Sequence, residues 1–156
     1  MTQEHDYSAV VLWTGDRGEG TAHYRSYDRT WRIVTPGKAP IECSNDPLLG
    51  GDPARPNPED LLLASLSACH MLWFLHLASN AGLVVTGYED EPVGIGETAG
   101  NGAGRFLRAT LRPKVTLRRG ADLTIADRLH RKVHDYCFIG RSVNFPVTCE
   151  ATYIEA

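Results

Sequence analysis

The sequence has no CxxC pair, no excess of basic residues, no internal repeat and no unbroken apolar run of bilayer length. Each absence removes a class of protein. Without paired cysteines, a zinc ribbon or a thioredoxin-type redox motif is excluded. With 16 Lys and Arg against 19 Asp and Glu, the net charge of -3 gives no electrostatic reason to bind nucleic acid or an anionic membrane. The longest apolar stretch, Leu61 to Ala81, is broken by Ser65, Ser67, His70, His76, Ser79 and Asn80, which a membrane span tolerates poorly. The opening MTQEHDYSAV lacks the basic-then-apolar order of a signal peptide. A soluble, cytoplasmic protein is expected, with no cofactor and no bound metal.

What remains is ordinary globular composition, 42% apolar and 22% charged over 156 residues. That suits a single domain, 1–156, with one core. SAVVLW, the turn GDRGEG and TAHYRSY read as a β-hairpin, followed by WRIV as a third strand. PGKAP ends that strand, and SNDPLLGGDPARPN at 44–57 reads as loop.

NPEDLLLASLSACHMLWFLHLA at 57–78 opens the first helix. Asn57 is a natural cap, Pro58 suits the first helical position, and Glu59 and Asp60 favour the positive end of the helix dipole. Gly82 supplies the stop. Such a helix runs for roughly 24 residues, or about 36 Å. It is apolar nearly all round, which predicts burial on every side and a partner subunit to complete the cover.

VVTGYEDEPVGI and RFLRATLRPKVTL read as two strands joined by GETAGNGAG. TIADRLHRKVHDYC reads as a second helix with a Thr124–Asp127 capping box and Gly140 as its stop. Ala126, Leu129, Val133, Tyr136 and Cys137 would share its apolar face. VNFPVTCEATYI closes the chain as a strand. The order βββ-α-ββ-α-β predicts an α+β fold with a long buried central helix.

Four cysteines stand at 43, 69, 137 and 149. Cys43 and Cys149 read as small buried hydrophobes. Cys69 and Cys137 sit on apolar helix faces, and residue type alone favours inert core thiols over reactive ones. Two thiols brought together beside an arginine would suit peroxide reduction through a sulfenic acid and a disulfide. His70 points about 100° away from Cys69 on a helix and is expected to be buried and hydrogen-bonded. His130, His134 and Cys137 share i, i+4, i+7 spacing, which suits a metal ligand set. Arg128, Arg131 and Lys132 oppose a cation there, and a solvated face is the expectation for both histidines.

The NPE start, the apolar helix and the small residues before Cys69 resemble the signature helix of the osmotically inducible protein C / organic hydroperoxide resistance (OsmC/Ohr) family. HRKVHDYCFIGRSVNFPV is similar to that family's second helix, and the strand order agrees along almost the whole chain. The resemblance implies an intertwined homodimer and a cysteine-based peroxidase that prefers organic hydroperoxides and is reduced by an external, lipoyl-type dithiol. It implies Cys69 as the peroxidatic nucleophile, Cys137 as the resolving thiol, and Glu59 as the group that orients an activating arginine. Arg25 and Arg29 are the candidate arginines, with Arg55 behind them. Ten residues of helix separate Glu59 from Cys69 by about 15 Å, so Glu59 is expected to reach Cys69 from the partner chain. Met71, Trp73 and Phe74 are expected to wall an apolar substrate pocket. Two features depart from the family pattern: Phe138-Ile139 follow Cys137 where Cys-Pro is frequent, and APIECSND before the helix holds no arginine. The alternative is a non-catalytic OsmC-like protein that binds a small molecule or a metal.

Overall fold

A computed structural model describes residues 3–156. The chain falls into two compact units, one ending at Leu61 and the other beginning at Leu62.

In the first unit, β1 (Val10–Trp13) pairs antiparallel with β2 (Trp31–Val34), and β2 pairs with β3 (Ile41–Cys43). The strand expected at TAHYRSY is absent, and the partner of SAVVLW is WRIV itself. Side chains capture the intervening backbone. The Asp16 carboxylate accepts hydrogen bonds from the Gly18 and Gly20 amides at 2.8 and 2.9 Å, and Ser26 Oγ donates to the Gly20 carbonyl. Such short-range bonds compete with a ladder and turn the chain into a knot of turns. The unit ends with the predicted cap: Asn57 Oδ1 accepts from the Asp60 amide at 2.8 Å, and Asp60 Oδ2 accepts from the Asn57 amide at 3.1 Å. Together these bonds satisfy two backbone donors that the helix start leaves free.

That cap starts α1 (Pro58–Asn80), whose 23 residues end where Gly82 takes the left-handed conformation at φ 70°. The second unit continues with β4 (Val85–Asp90), β5 (Val93–Thr98), β6 (Gly104–Leu111), β7 (Pro113–Leu117), α2 (Leu123–Val133), β8 (Val147–Cys149) and β9 (Thr152–Glu155). The α+β class holds, and each long strand read from the sequence is two strands. VVTGYEDEPVGI breaks at Glu91-Pro92, RFLRATLRPKVTL at Arg112, and VNFPVTCEATYI at Glu150-Ala151. Proline cannot donate to a ladder, so the first two breaks fall beside Pro92 and Pro113. The broken strands feed two sheets, β4-β7-β9 and β5-β6-β8. In each, the C-terminal strand adds in parallel, β8 to β6 and β9 to β7. Asp90 ties the junction: its carboxylate accepts from the Arg112 amide at 2.6 Å and from Ser67 Oγ of α1.

The core of this unit joins Phe74, Leu77 and Ala78 of α1 to Val115 and Leu117 of β7 and to Ala126, Leu129 and Val133 of α2. Each fully buried large side chain here contributes about 1.5–3 kcal/mol. Although α1 is apolar all round, it buries only a stripe, Leu66, His70, Phe74, Leu77 and Ala78, and Leu72 is 62% exposed. Burial on every side is therefore not reached within one chain. The helix is long and apolar enough to cross a bilayer by length and composition, yet its buried stripe packs into this core.

The second helix also differs from expectation. Asp122, not Thr124, is its cap, accepting from the Thr124 amide at 2.9 Å. The helix stops at Val133, several residues before Gly140. Asp135 and Tyr136 bond back to Lys132 and Val133 in tighter turns, and Cys137 lies just past the helix, its amide donating to the Val133 carbonyl at 2.9 Å.

Candidate functional site

Cys69 occupies the middle of α1 at intermediate burial, and Cys137 is 5% exposed beyond the end of α2. Cys69 packs against the core cluster that contains Cys137, and its side chain is close enough to raise the Cys137 thiol. Burial, and then that contact, push the Cys137 thiol up to about 11. The Gly140 amide donates to Cys137 Sγ at 3.3 Å and opposes the shift in part. Cys137 is thus held as a protonated thiol at neutral pH. All four cysteines are free.

One turn after Cys69, Trp73 packs on Tyr136, the residue before Cys137, with ring centroids 5.0 Å apart. The aromatic contact joins α1 to the end of α2 at the level of the thiols. Leu72, Tyr136 and Phe138 leave apolar surface exposed in the same segments. Met71 and Trp73 are half-buried, as a pocket wall would be. Phe74 is different: it is fully buried in the core and stacks on His130 at 3.9 Å, so it has no surface to offer a substrate. Helical spacing put it one residue from Trp73 in sequence but about 100° round the axis.

The remaining predicted residues belong to the first unit. Glu59 is exposed in the first turn of α1, where Asp60 makes the capping bond. Arg25 is exposed, and its carbonyl accepts from Arg17. Arg29 donates to the Tyr24 and Tyr27 carbonyls at 2.6 and 2.8 Å and lies over both rings. Arg55 pairs with Asp52 at 3.3 Å and Glu42 at 3.6 Å.

A second cluster lies behind the thiols. His70 and His130 are 2% and 4% exposed, and His70 Nε2 lies 2.9 Å from His130 Nδ1. Cys149 Sγ lies 3.6 Å from the same nitrogen. Burial lowers His70 to about 4, helped by His134, and lowers His130 to about 3, helped by His70 and opposed by Asp127. Both imidazoles are therefore neutral at pH 7. Burial, then Asp90, Asp127 and Glu150, push Cys149 up to about 12. His70 is buried and bonded as expected. His130 is not on the solvated face: it points into the core, while His134 is exposed. The i, i+4, i+7 trio does not form, because α2 ends before Cys137 and His130 turns inward with Leu129 and Val133. A small cavity of about 40 Å³ is lined by His70, His134 and Cys137 and closed by Leu66, Leu111 and Val147.

The His70–His130–Cys149 cluster was invisible in the sequence, since its members come from α1, α2 and β8 and no spacing links them. The only available signal was a histidine on an otherwise apolar helix stripe.

A family model described as OsmC-like protein matches residues 50–152. The chain belongs to the OsmC-like family. Solved structures agree on the fold. An OsmC-like protein of unknown function from Vibrio cholerae is 29% identical, with a TM-score of 0.86 over 96% of this chain and 100% of that one. An organic hydroperoxide resistance protein from Elizabethkingia anophelis is 18% identical, with a TM-score of 0.68 over 99% and 100% of the two chains. A putative organic hydroperoxide resistance protein from Vibrio cholerae, solved with captopril in one active site, is 17% identical with a TM-score of 0.67 over 97% and 95%. No curated protein sequence matches the chain.

Proposed function

We propose that this OsmC-like chain is a thiol-dependent peroxidase that reduces organic hydroperoxides to alcohols. The proximity of Cys69 and Cys137, two thiols far apart in sequence, carries the reading. Several OsmC-like structures of the same fold are named for organic hydroperoxide resistance, which supports it. The Cys69 thiolate attacks the peroxide O–O bond. One oxygen stays on sulfur as a sulfenic acid, and the other leaves with a proton as the alcohol. Cys137 then attacks the sulfenic sulfur, water leaves, and a Cys69–Cys137 disulfide forms. An external dithiol of lipoyl type takes up the oxidation and restores both thiols.

The division of roles follows from the site. Cys137 is buried and held as the thiol, which leaves the half-buried Cys69 as the nucleophile. Met71, Trp73 and the exposed Tyr136 and Phe138 favour an alkyl substituent, since burying it adds binding that hydrogen peroxide cannot obtain. Glu59, with Arg25 or Arg29, is proposed to reach Cys69 from the partner chain of a homodimer. Free thiols of this kind fit a reducing, cytoplasmic setting, with residues 1–156 acting as one OsmC-like domain.

The test is disulfide mapping by mass spectrometry on reduced protein given one equivalent of cumene hydroperoxide or of hydrogen peroxide. A Cys69–Cys137 bridge that forms faster with the organic peroxide is expected. Cys69→Ser abolishes peroxide consumption, whereas Cys137→Ser consumes one equivalent and stops at a trappable sulfenic acid. A Cys69 that stays reduced, or a Cys137→Ser variant that turns over normally with the dithiol, contradicts the mechanism.

A further inference from the structure

Three potential ligand atoms of the second unit converge in its interior. One ligand atom from each of His70, His130 and Cys149 lies within 4.8 Å of the other two. Zinc bonds of about 2.0–2.1 Å to nitrogen and about 2.3 Å to sulfur imply tetrahedral edges of about 3.4 Å between nitrogens and about 3.6 Å from nitrogen to sulfur. The observed separations are 2.9 Å and 3.6 Å. The His130–Cys149 edge already fits, and the two imidazole nitrogens need to part by only a few tenths of an ångström.

The surroundings match a cation better than they match the bare side chains. Both histidines are almost wholly buried, and Phe74 stacks on His130 and fixes its ring. His130 Nδ1 faces two polar neighbours, the His70 Nε2 and the Cys149 sulfur. A bound ion would take up Nδ1, Nε2 of His70 and the sulfur together. A divalent cation would deprotonate the Cys149 thiol on binding. The Tyr88 hydroxyl is also buried without a hydrogen-bond partner among the described residues. The basic residues Arg128, Arg131 and Lys132 of α2 are exposed, on the side of the helix away from the core.

The geometry points to a buried zinc site formed by His70, His130 and Cys149, separate from the proposed peroxidase thiols. Two imidazoles and one thiolate form a borderline-soft set, the kind that suits zinc rather than magnesium or calcium. The binding step is an exchange: zinc enters, the Cys149 proton leaves, and no electron is transferred.

The experiment uses the full chain with Cys69→Ser and Cys137→Ser, so that the neighbouring pair cannot supply sulfur, and does not depend on activity. Cobalt is titrated in as a spectroscopic stand-in for zinc, under reducing conditions. A thiolate-to-cobalt charge-transfer band with the intense visible bands of a tetrahedral ion, saturating at one ion per chain and displaced by zinc, is expected. Adding Cys149→Ser should abolish the charge-transfer band, and His130→Gln should weaken binding. Because buried substitutions can impair folding, X-ray absorption of the zinc-loaded unsubstituted chain provides a second reading, with one sulfur and two imidazoles expected in the shell. No saturable binding, a band that survives Cys149→Ser, or a shell with two sulfurs overturns the site.

Discussion

At the scale of single residues, His70 and His130 make acid sensitivity a consequence of packing. In metal-free protein, burial holds them at about 4 and about 3, whereas the unfolded chain returns both to the ordinary 6.5. Below pH 6.5 the unfolded chain binds protons that the folded chain refuses. Their contribution is therefore complete above pH 6.5 and is lost as pH falls toward the folded values, by about 1.4 kcal/mol per pH unit for each histidine. Urea midpoints of chelator-treated protein between pH 6.5 and 5, above the main carboxylate range, should show this decline. His130→Gln should remove roughly half of the slope. A flat profile would mean that the buried imidazoles accept protons without cost. The thiols were legible at this scale and the histidine pair was not. Cys69 and Cys137 carry helix motifs that can be read in sequence, whereas the inward turn of His130 depends on where α2 lands against Phe74, which no local pattern encodes.

At the scale of elements, the start of α1 was readable in full because capping is local chemistry. Asn57 and Asp60 exchange hydrogen bonds across the first turn, and Asn57 is only 8% exposed. Asn57→Ala removes the acceptor for the Asp60 amide and should cost about 1 kcal/mol. Thermal unfolding checks it, and Asn57→Asp, which keeps an acceptor, should recover most of the loss. If Asn57→Ala were neutral, tertiary packing alone would be holding the helix start. The strands were harder to read. Alternation in VVTGYEDEPVGI and RFLRATLRPKVTL identified strand-forming residues correctly, but each segment serves two sheets. The breaks were signalled by Pro92 and Pro113, whereas the parallel addition of β8 and β9 is a long-range choice. TAHYRSY misled for the opposite reason: its polar side chains bind nearby backbone and outcompete the ladder that the pattern favours.

At the scale of the molecule, α1 poses an unbalanced account of burial. Its inward stripe is packed, yet Ala64, Ala68 and Leu72 are exposed at successive four-residue steps along one face. An apolar stripe of this kind gains nothing from contact with water, and a second copy laid against it would cover both. The same arrangement would offer the partner's Glu59 to Cys69, which lies beside Ala68 and one turn from Leu72 and Trp73. Leu72→Glu separates these ideas from a merely apolar surface. On an isolated chain, substituting an exposed leucine changes stability by less than about 0.5 kcal/mol. At the centre of a dimer it buries a charge against its own copy, so sedimentation should show twice the chain mass for the unsubstituted protein and a single chain for the variant. Peroxide turnover should fall as dimerisation is lost even though Cys69 and Cys137 are untouched, and it should recover at protein concentrations that restore the dimer. A Leu72→Glu protein that stays dimeric, or a monomer that keeps full turnover, would place the whole reaction within one chain and remove Glu59 from it.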